Sequence, residues 1–465
     1  MMADIKHLQI NIIIYAIFLL GLSTLCWAEE QTPQGLTVEV AVRIALENSL
    51  QRRMAQGDIV IAQDKTDQAV SAYGPTLTLD GGFYHYNEAP GMVQLQQDLV
   101  KLNNALSAMT YGAIPEKEPL SDSLNYYGIK LQLTQPLYTG GKLTATKMQA
   151  QANEKNAKAN LGVSENDLAR DVKKAYYTVL LCRQLSVTMD EAVASMADHV
   201  REATEYYRLN TVSRIDVLRA EERLAELRQQ QLLALNNFAL ARSSLNYVLG
   251  VDLNTDYSFE DQIVAGELSQ GLDSCQAEAL SRRPELEAMD ARIEMARQGV
   301  AVAKSGNMPT VALVANRYQY EPENEIPSAS VGVVATLKLY DHGMISHQVA
   351  EAEDVLKKAE TGKEQVQRGI MLEVEQAYRN AEASVRSIDA AEKNLATSKE
   401  TLRAAQTRYK VGLSTSLERL DAEVGLTKAK ASCTQALSMY NIAMAELDRA
   451  MGKGADNMIS SDPVR

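Results

Sequence analysis

Apolar residues recur at helical spacing along most of the chain, and four short segments break that rhythm with alternation. Leu437, Tyr440, Met444, Leu447 and Met451 step by 3, 4, 3 and 4, the spacing of a coiled-coil seam. Over 330–340, Val331, Val333, Ala335, Leu337 and Leu339 point to one side of a strand, and Gly332, Thr336 and Lys338 to the other. The other strands are predicted over 76–86, 128–138 and 310–320. No proline falls between Pro136 and Pro284, or between Pro327 and Pro463, so two long windows are free to be helical. The first predicts a helix over 139–210, roughly 105 Å at 1.5 Å per residue, and a second over 213–249 of about 55 Å. A helix over 37–72 supplies about the missing length, so one long helix lies beside two shorter ones stacked end to end.

The two windows are copies of one another. At an offset of 202 they align without a gap from Tyr138/Tyr340 to Gly250/Gly452, matching Tyr207/Tyr409, Leu218/Leu420 and Glu221/Glu423. Upstream the offset becomes 234, with Ala45/Ala279 and Pro75/Pro309 in step, which places one 32-residue insertion between Pro75 and Tyr138. The expected organisation is a leader over 1–28, a first repeat over 29–270 with a hairpin over 73–138 and a helix pair over 139–250, and a second repeat over 271–452. In the second repeat the hairpin spans 309–340 and the helix pair 341–452; a tail over 453–465 follows. The insertion has its own seam in Met92, Leu95, Leu99, Leu102, Leu106 and Met109, a helix that either lines or caps the outer end of the hairpins or packs on its own loop.

Strands of about ten residues match the thickness of a membrane, and nine of the twenty tyrosines lie in or beside them: Tyr73, Tyr84, Tyr86, Tyr126, Tyr127, Tyr138, Tyr318, Tyr320 and Tyr340. That concentration is similar to the aromatic girdle of outer-membrane barrels. Four strands cannot close a barrel, and open edges cannot face lipid, so several chains must contribute to one barrel. Both strands of each hairpin run into helices, through QPLYTGGK and LKLYDHGM, so the hairpin loops point away from the helices.

The N-terminus agrees with export. Lys6 and His7 precede an apolar run over 10–22, and Cys26, Trp27 and Ala28 offer a cleavage site before Glu29. Cys26 is where a lipid anchor would go, but Leu25 stands before it where a small side chain is usual. Cys182, Cys275 and Cys433 have no metal-ligand spacing and read as small buried apolar residues. A formal charge of −13 excludes a nucleic-acid partner of the usual basic kind.

These residues resemble the TolC-like outer-membrane efflux proteins, on the duplication, on QPLYTGGK and on the pattern YxxGxxxxxExLDAE at 409–423. The resemblance implies an α+β membrane protein in which three chains give four strands each to a twelve-stranded outer-membrane barrel, continued by a periplasmic α-helical coiled-coil barrel. It implies a passive duct for small toxic compounds, working with a periplasmic adaptor and an inner-membrane transporter; the exit duct of a type I protein secretion system shares the architecture. No cofactor or metal is implied. The turns farthest from the strands would meet the adaptor through Asn210, Thr211, Val212, Gly412, Leu413 and Ser414. Gly412, and Asn210 in its place in the first copy, suit the left-handed end of a helix, and Ser213 and Ser414 or Thr415 would accept N–H bonds as caps.

Just inside the tip, Glu418 and Asp421 are spaced i, i+3 and share a helix face, which in a trimer sets six carboxylates around one passage as a selectivity ring. The first copy has Asp216 and Arg219 there. By the resemblance, Asp216 and Tyr409 latch the closed entrance. The family's basic latch partner falls on Ser414, so Arg214 and Arg419 are the basic residues at hand to replace it. Two other classes fare worse. An enzyme finds no metal-spaced pair among His85, His199, His342 and His347, and no nucleophile elbow. An exported coiled-coil spacer explains the helices but not the duplicated strand pairs.

Overall fold

The computed structural model describes residues 35–86, 91–111, 113–117, 124–266, 268–321 and 329–454; the expected leader over 1–28, with Cys26, and all but the start of the tail lie outside them. The first half comprises β1 (Gly35–Leu36), α1 (Val38–Asn48), α2 (Leu50–Ser71), β2 (Thr76–Tyr86), α3 (Gly91–Met109), β3 (Leu124–Tyr138), α4 (Lys142–Arg208) and α5 (Arg214–Leu249). After β4 (Ser258–Phe259) come α6 (Leu272–Arg282), α7 (Pro284–Lys304), a 3-10 turn (Ser305–Asn307), β5 (Thr310–Glu321), β6 (Ala329–Thr336), α8 (Met344–Lys410) and α9 (Ser416–Ala450). The chain is mostly helical with a smaller sheet. Helices α4 and α8 have 67 residues each, roughly 100 Å. Among the described residues no helix is long and apolar enough to cross a membrane.

Helix α4 lies between the pair α2/α5 and the pair α7/α9, while α8 packs on α7 and α9. The sheet is antiparallel in the order β2–β3–β5–β6. That order repeats the helical one, because α2 runs into β2, β3 into α4, α7 into β5 and β6 into α8. The strand-to-helix corners demand left-handed backbone: Gly140 has φ +62°, and a Cβ there would fall 2.3 Å from the Met308 Cβ. At the second corner His342 takes φ +58°, and the Asp341 carboxylate accepts from Gly343 N and Ile345 N, both at 3.0 Å.

One sheet face is largely apolar across the four strands, with Arg317 beside Leu131 and Gln135 beside Leu313 as polar exceptions. Leu77 and Leu79 stand opposite Leu133 and Leu131, Ala315 follows beside Leu133, and Val331 beside Ala315. These side chains are exposed in β2 and β6, with Leu79 69% and Val331 75% accessible. The other face carries Thr76, Thr78, Gln132, Thr134, Asn316 and Ser330. This is the reverse of a soluble sheet, which hides its apolar side. Of the tyrosines, Tyr73, Tyr138 and Tyr340 are exposed near the helical end, and the side chains of Tyr84, Tyr86, Tyr126, Tyr127 and Tyr320 lie outside the described set.

Three elements differ from the sequence expectation. The helix expected over 37–72 is broken at Ser49, whose backbone is non-helical at ψ 124° and whose hydroxyl accepts from Arg52 N to start α2. Strand β6 stops at Thr336 because its partner begins at Thr310, preceded by Pro309, which has no N–H to give. Strand β3 starts four residues earlier, at Leu124, because β2 gives it pairing partners up to Tyr86. The inserted helix α3 forms, with its polar side on its own loop and its apolar side exposed.

The largest apolar cluster joins α1, α4 and α5 around Tyr176, with Leu36, Val42, Val172, Leu180, Leu245 and Leu249. Its hydroxyl lies 2.7 Å from both the Leu36 carbonyl and Asp261 Oδ2, and the same Asp261 oxygen accepts from Val38 N at 2.9 Å. Burial, with the Asp261 carboxylate beside it, pushes the phenol well above its ordinary pKa. A Tyr176→Phe variant removes the single O–H that these two acceptors share, leaving Leu36 O only the long bond from Glu260 N, 3.4 Å, and is expected to lower stability by ~1–2 kcal/mol; an unchanged denaturation midpoint contradicts this role.

Candidate functional site

The two turns farthest from the sheet have one backbone shape. Helix α4 ends on Asn210 at φ +60° and α8 on Gly412 at φ +74°. Thr211 N donates to Tyr206 O at 2.9 Å, and Leu413 N to Arg408 O at 2.8 Å, so each turn closes as a Schellman motif. Asn210, Thr211, Gly412 and Leu413 are exposed, and Val212 and Ser414 half-buried.

The caps follow the expectation. Ser213 and Asp216 form a capping box, the Ser213 side chain facing Asp216 N–H while Ser213 N–H and Oγ both reach Asp216 Oδ2, at 3.1 and 2.7 Å. The charged carboxylate is the stronger acceptor of the pair. At α9 it is Thr415 whose hydroxyl accepts from Glu418 N, at 3.3 Å, while Ser414 donates to the Glu418 carboxylate. Glu418 and Asp421 are both exposed, and no described residue forms an ion pair with either.

The opposite face of the same turn of α9 is buried and charged. Arg419, 5% accessible, pairs with Glu202 of α4 and, at 3.2 Å, with Glu423. Its guanidinium sits 5.4 Å from the centre of the Tyr409 ring. Tyr409 in turn meets His199 and Tyr206 at ring distances of 5.5 and 5.7 Å, and a ring nitrogen of His199 lies 3.1 Å from Ser416 Oγ. The first helical hairpin is thereby joined to the second through Glu202, His199 and Tyr206 on one side, and Tyr409, Ser416 and Arg419 on the other.

Of the two expected latch residues, Tyr409 lies inside this junction and Asp216 outside it, at the start of α5. Within the chain they are not hydrogen-bonded: the Tyr409 hydroxyl is buried with no partner among the described residues, and Asp216 is closed on Ser213. Arg419 makes the cross-hairpin ion pair; Arg214 is exposed. The sequence pattern assigns no role at the tip to His199, Glu202, Ser416 or Glu423. One signal was present, since Arg419 aligns with Val217, a buried apolar position of the first copy.

A family model described as outer membrane efflux protein matches residues 41–251 and 276–453. The chain belongs to the outer membrane efflux protein family. It resembles outer membrane efflux protein BepC of Brucella suis biovar 1 (strain 1330), 24% identical over 412 residues that cover 85% of this chain and 87% of that one. Outer membrane protein TolC of Escherichia coli (strain K12) is 25% identical over 350 residues, 70% of each chain. The fold is that of the outer membrane protein VceC from Vibrio cholerae, with a TM-score of 0.72 and 18% identity over 89% of this chain and 96% of that one. This efflux protein is accordingly an outer-membrane protein with a periplasmic helical extension, and its tip is the end distant from the membrane.

Protonation bears directly on the junction of this efflux protein. Burial, and then the neighbouring Arg419 charge, lower the His199 pKa to about 4, with Glu202 pulling the other way. The unfolded imidazole takes up a proton near 6.5, so stability is full above that pH and is lost as pH falls toward 4, by up to about 3 kcal/mol. Glu423 acts in the opposite sense, because burial raises its pKa despite Arg419. Comparing wild type with His199→Gln isolates the histidine. The wild-type tip is expected to open more often at pH 4.5 than at pH 7 in bilayer recordings, and His199→Gln to lose most of that response; equal responses contradict it.

Proposed function

We propose that three copies of this efflux protein join edge to edge into one tunnel through the outer membrane and periplasm. The observation that carries this reading is the sheet: an exposed apolar face, a polar reverse, and free edges on β2 and β6. Three such sheets give twelve strands with the apolar face on lipid and the polar face on water. The helical layer has the same lateral order, and its two outermost elements expose Leu218, Leu232, Leu235 and Leu240 on α5, and Val355 and Leu372 on α8, for the neighbouring copies.

The two halves, 29–270 and 271–452, are read as copies of one unit, after the leader over 1–28 and before the tail over 453–465. The matched lengths of α4 and α8, and the left-handed Gly250 and Gly452 packed against Asn48 and Arg282, support that reading.

The tunnel conducts small toxic compounds delivered by a periplasmic adaptor and an inner-membrane transporter, and supplies no energy or chemistry itself. Asn210, Thr211, Val212, Gly412, Leu413 and Ser414 form the adaptor contact, since the two turns offer one shape twice. At rest the hairpins are held by the junction around Tyr409 and Arg419, with Asp216 at its edge. The adaptor opens the tip by drawing them apart.

Glu418 and Asp421 line the constriction from each copy as six carboxylates. At about 6 Å apart, each like-charge pair is unfavourable by ~0.7 kcal/mol in water and ~2.8 kcal/mol at an effective dielectric of 20, so the ring gathers cations. Glu418→Gln with Asp421→Asn is expected to reduce cation over anion permeability several-fold in single-channel recordings. Unchanged selectivity removes the ring from the mechanism, and an absence of any conductance in wild type removes the channel.

A further inference from the structure

Helix α3 turns the usual amphipathic arrangement around. Its polar side is fastened to the loop that follows it: Ser107 Oγ donates to Ile114 O at 2.6 Å, Asn103 Nδ2 to Pro115 O at 3.0 Å and Asn104 Nδ2 to Lys117 O at 2.7 Å. Lys117 N returns a bond to Asn104 Oδ1 at 2.8 Å, and Ser107 is buried. The opposite side exposes Leu95, Leu99, Leu102, Leu106 and Met109, each between 43 and 80% accessible. The side chain of Met92 lies outside the described set. The four hydrogen bonds hold the helix in an orientation that keeps this ridge uncovered by its own chain.

The chemistry of the ridge says what covers it. The steps are 4, 3, 4 and 3, so the large exposed apolar side chains form a narrow ridge, the seam that a partner helix fills. A helix that lies in a lipid surface has a broader apolar face and a polar face rich in Lys and Arg. The only charged residues of α3 are Asp98 and Lys101, 3.3 Å apart and of opposite sign. In the chain the helix follows β2, an outer strand of the sheet.

We propose that the α3 helices of the three copies pack on one another through this ridge and form a helical cap over the outer mouth of the barrel. The inference rests on the three-copy channel proposed above. The dimensions agree. Twelve strands about 4.8 Å apart and tilted ~40° make a barrel roughly 24 Å across. Three helices packed 8–10 Å apart, each about 10 Å wide, cover about 20 Å of it. The cap stands at the opposite end from the tip, so passage requires two separate openings.

Single Leu99→Cys and Leu102→Cys variants, with Lys101→Cys as the control on the polar side, test this in protein reconstituted into lipid vesicles and oxidised with copper phenanthroline. Wild type, whose own cysteines are Cys182, Cys275 and Cys433 in the mature chain, gives the background. The expected result is a disulfide-linked pair of chains for both leucine positions, at least five-fold above that for Lys101→Cys. No link at either leucine position, or equal linking at all three, overturns the cap. A lipid-bound ridge is recognised by attaching bimane to the introduced thiol: quenching by brominated lipid beyond the wild-type background also overturns it. The mass of the intact assembly is measured on each variant. Three copies without a leucine-position link reject the cap alone, whereas single copies reject the channel on which it rests.

Discussion

The structure depends on a requirement that one chain cannot meet. Backbone N–H and C=O groups in lipid must all be paired, and among the described residues β2 and β6 are the outer strands of the sheet, each with one neighbour. The apolar face of the sheet places these edges in the bilayer, where water cannot satisfy them. In the proposed assembly further copies do so, each β6 meeting the next β2. The helical layer inherits its lateral order from the same four strands, because every strand joins its helix through a short corner. In the proposed assembly the neighbour met at the sheet edge is also met along the length of the periplasmic helices.

The distribution of charge follows the same geometry. Many ion pairs in the helices join residues at i, i+3 or i, i+4, and the exposed ones are each worth little. The junction around Arg419 is different. It buries a guanidinium between Glu202 and Glu423, and beside them leaves one His199 nitrogen, the Tyr409 hydroxyl and one Glu423 oxygen without partners among the described residues. Buried charge that is incompletely satisfied is a poor source of stability and a good basis for two alternative arrangements. The gate proposed for this junction has to be held closed without being held permanently, which such a site allows.

Much of this was legible in the residue pattern. The absence of proline over long windows set the helix lengths, and alternation set the strands to within a few residues. Gly412 and Asn210 announced their turns because few residues accept a positive φ. The failures have a common origin in contacts between segments distant in sequence. Ser49 breaks a helix that propensity alone would continue, and β6 ends where its neighbour has Pro309. The pairing of Arg419 with Glu202 depends on the register between α4 and α9, 217 residues apart. Periodicity can mark Arg419 as a charge in a buried column, but it cannot name the residue opposite.

The requirement for neighbours is the central claim, and the mass of the detergent-solubilised protein under native conditions tests it most directly. The account predicts a single species of three chains that conducts ions when reconstituted. A monodisperse single chain that still conducts would contradict it.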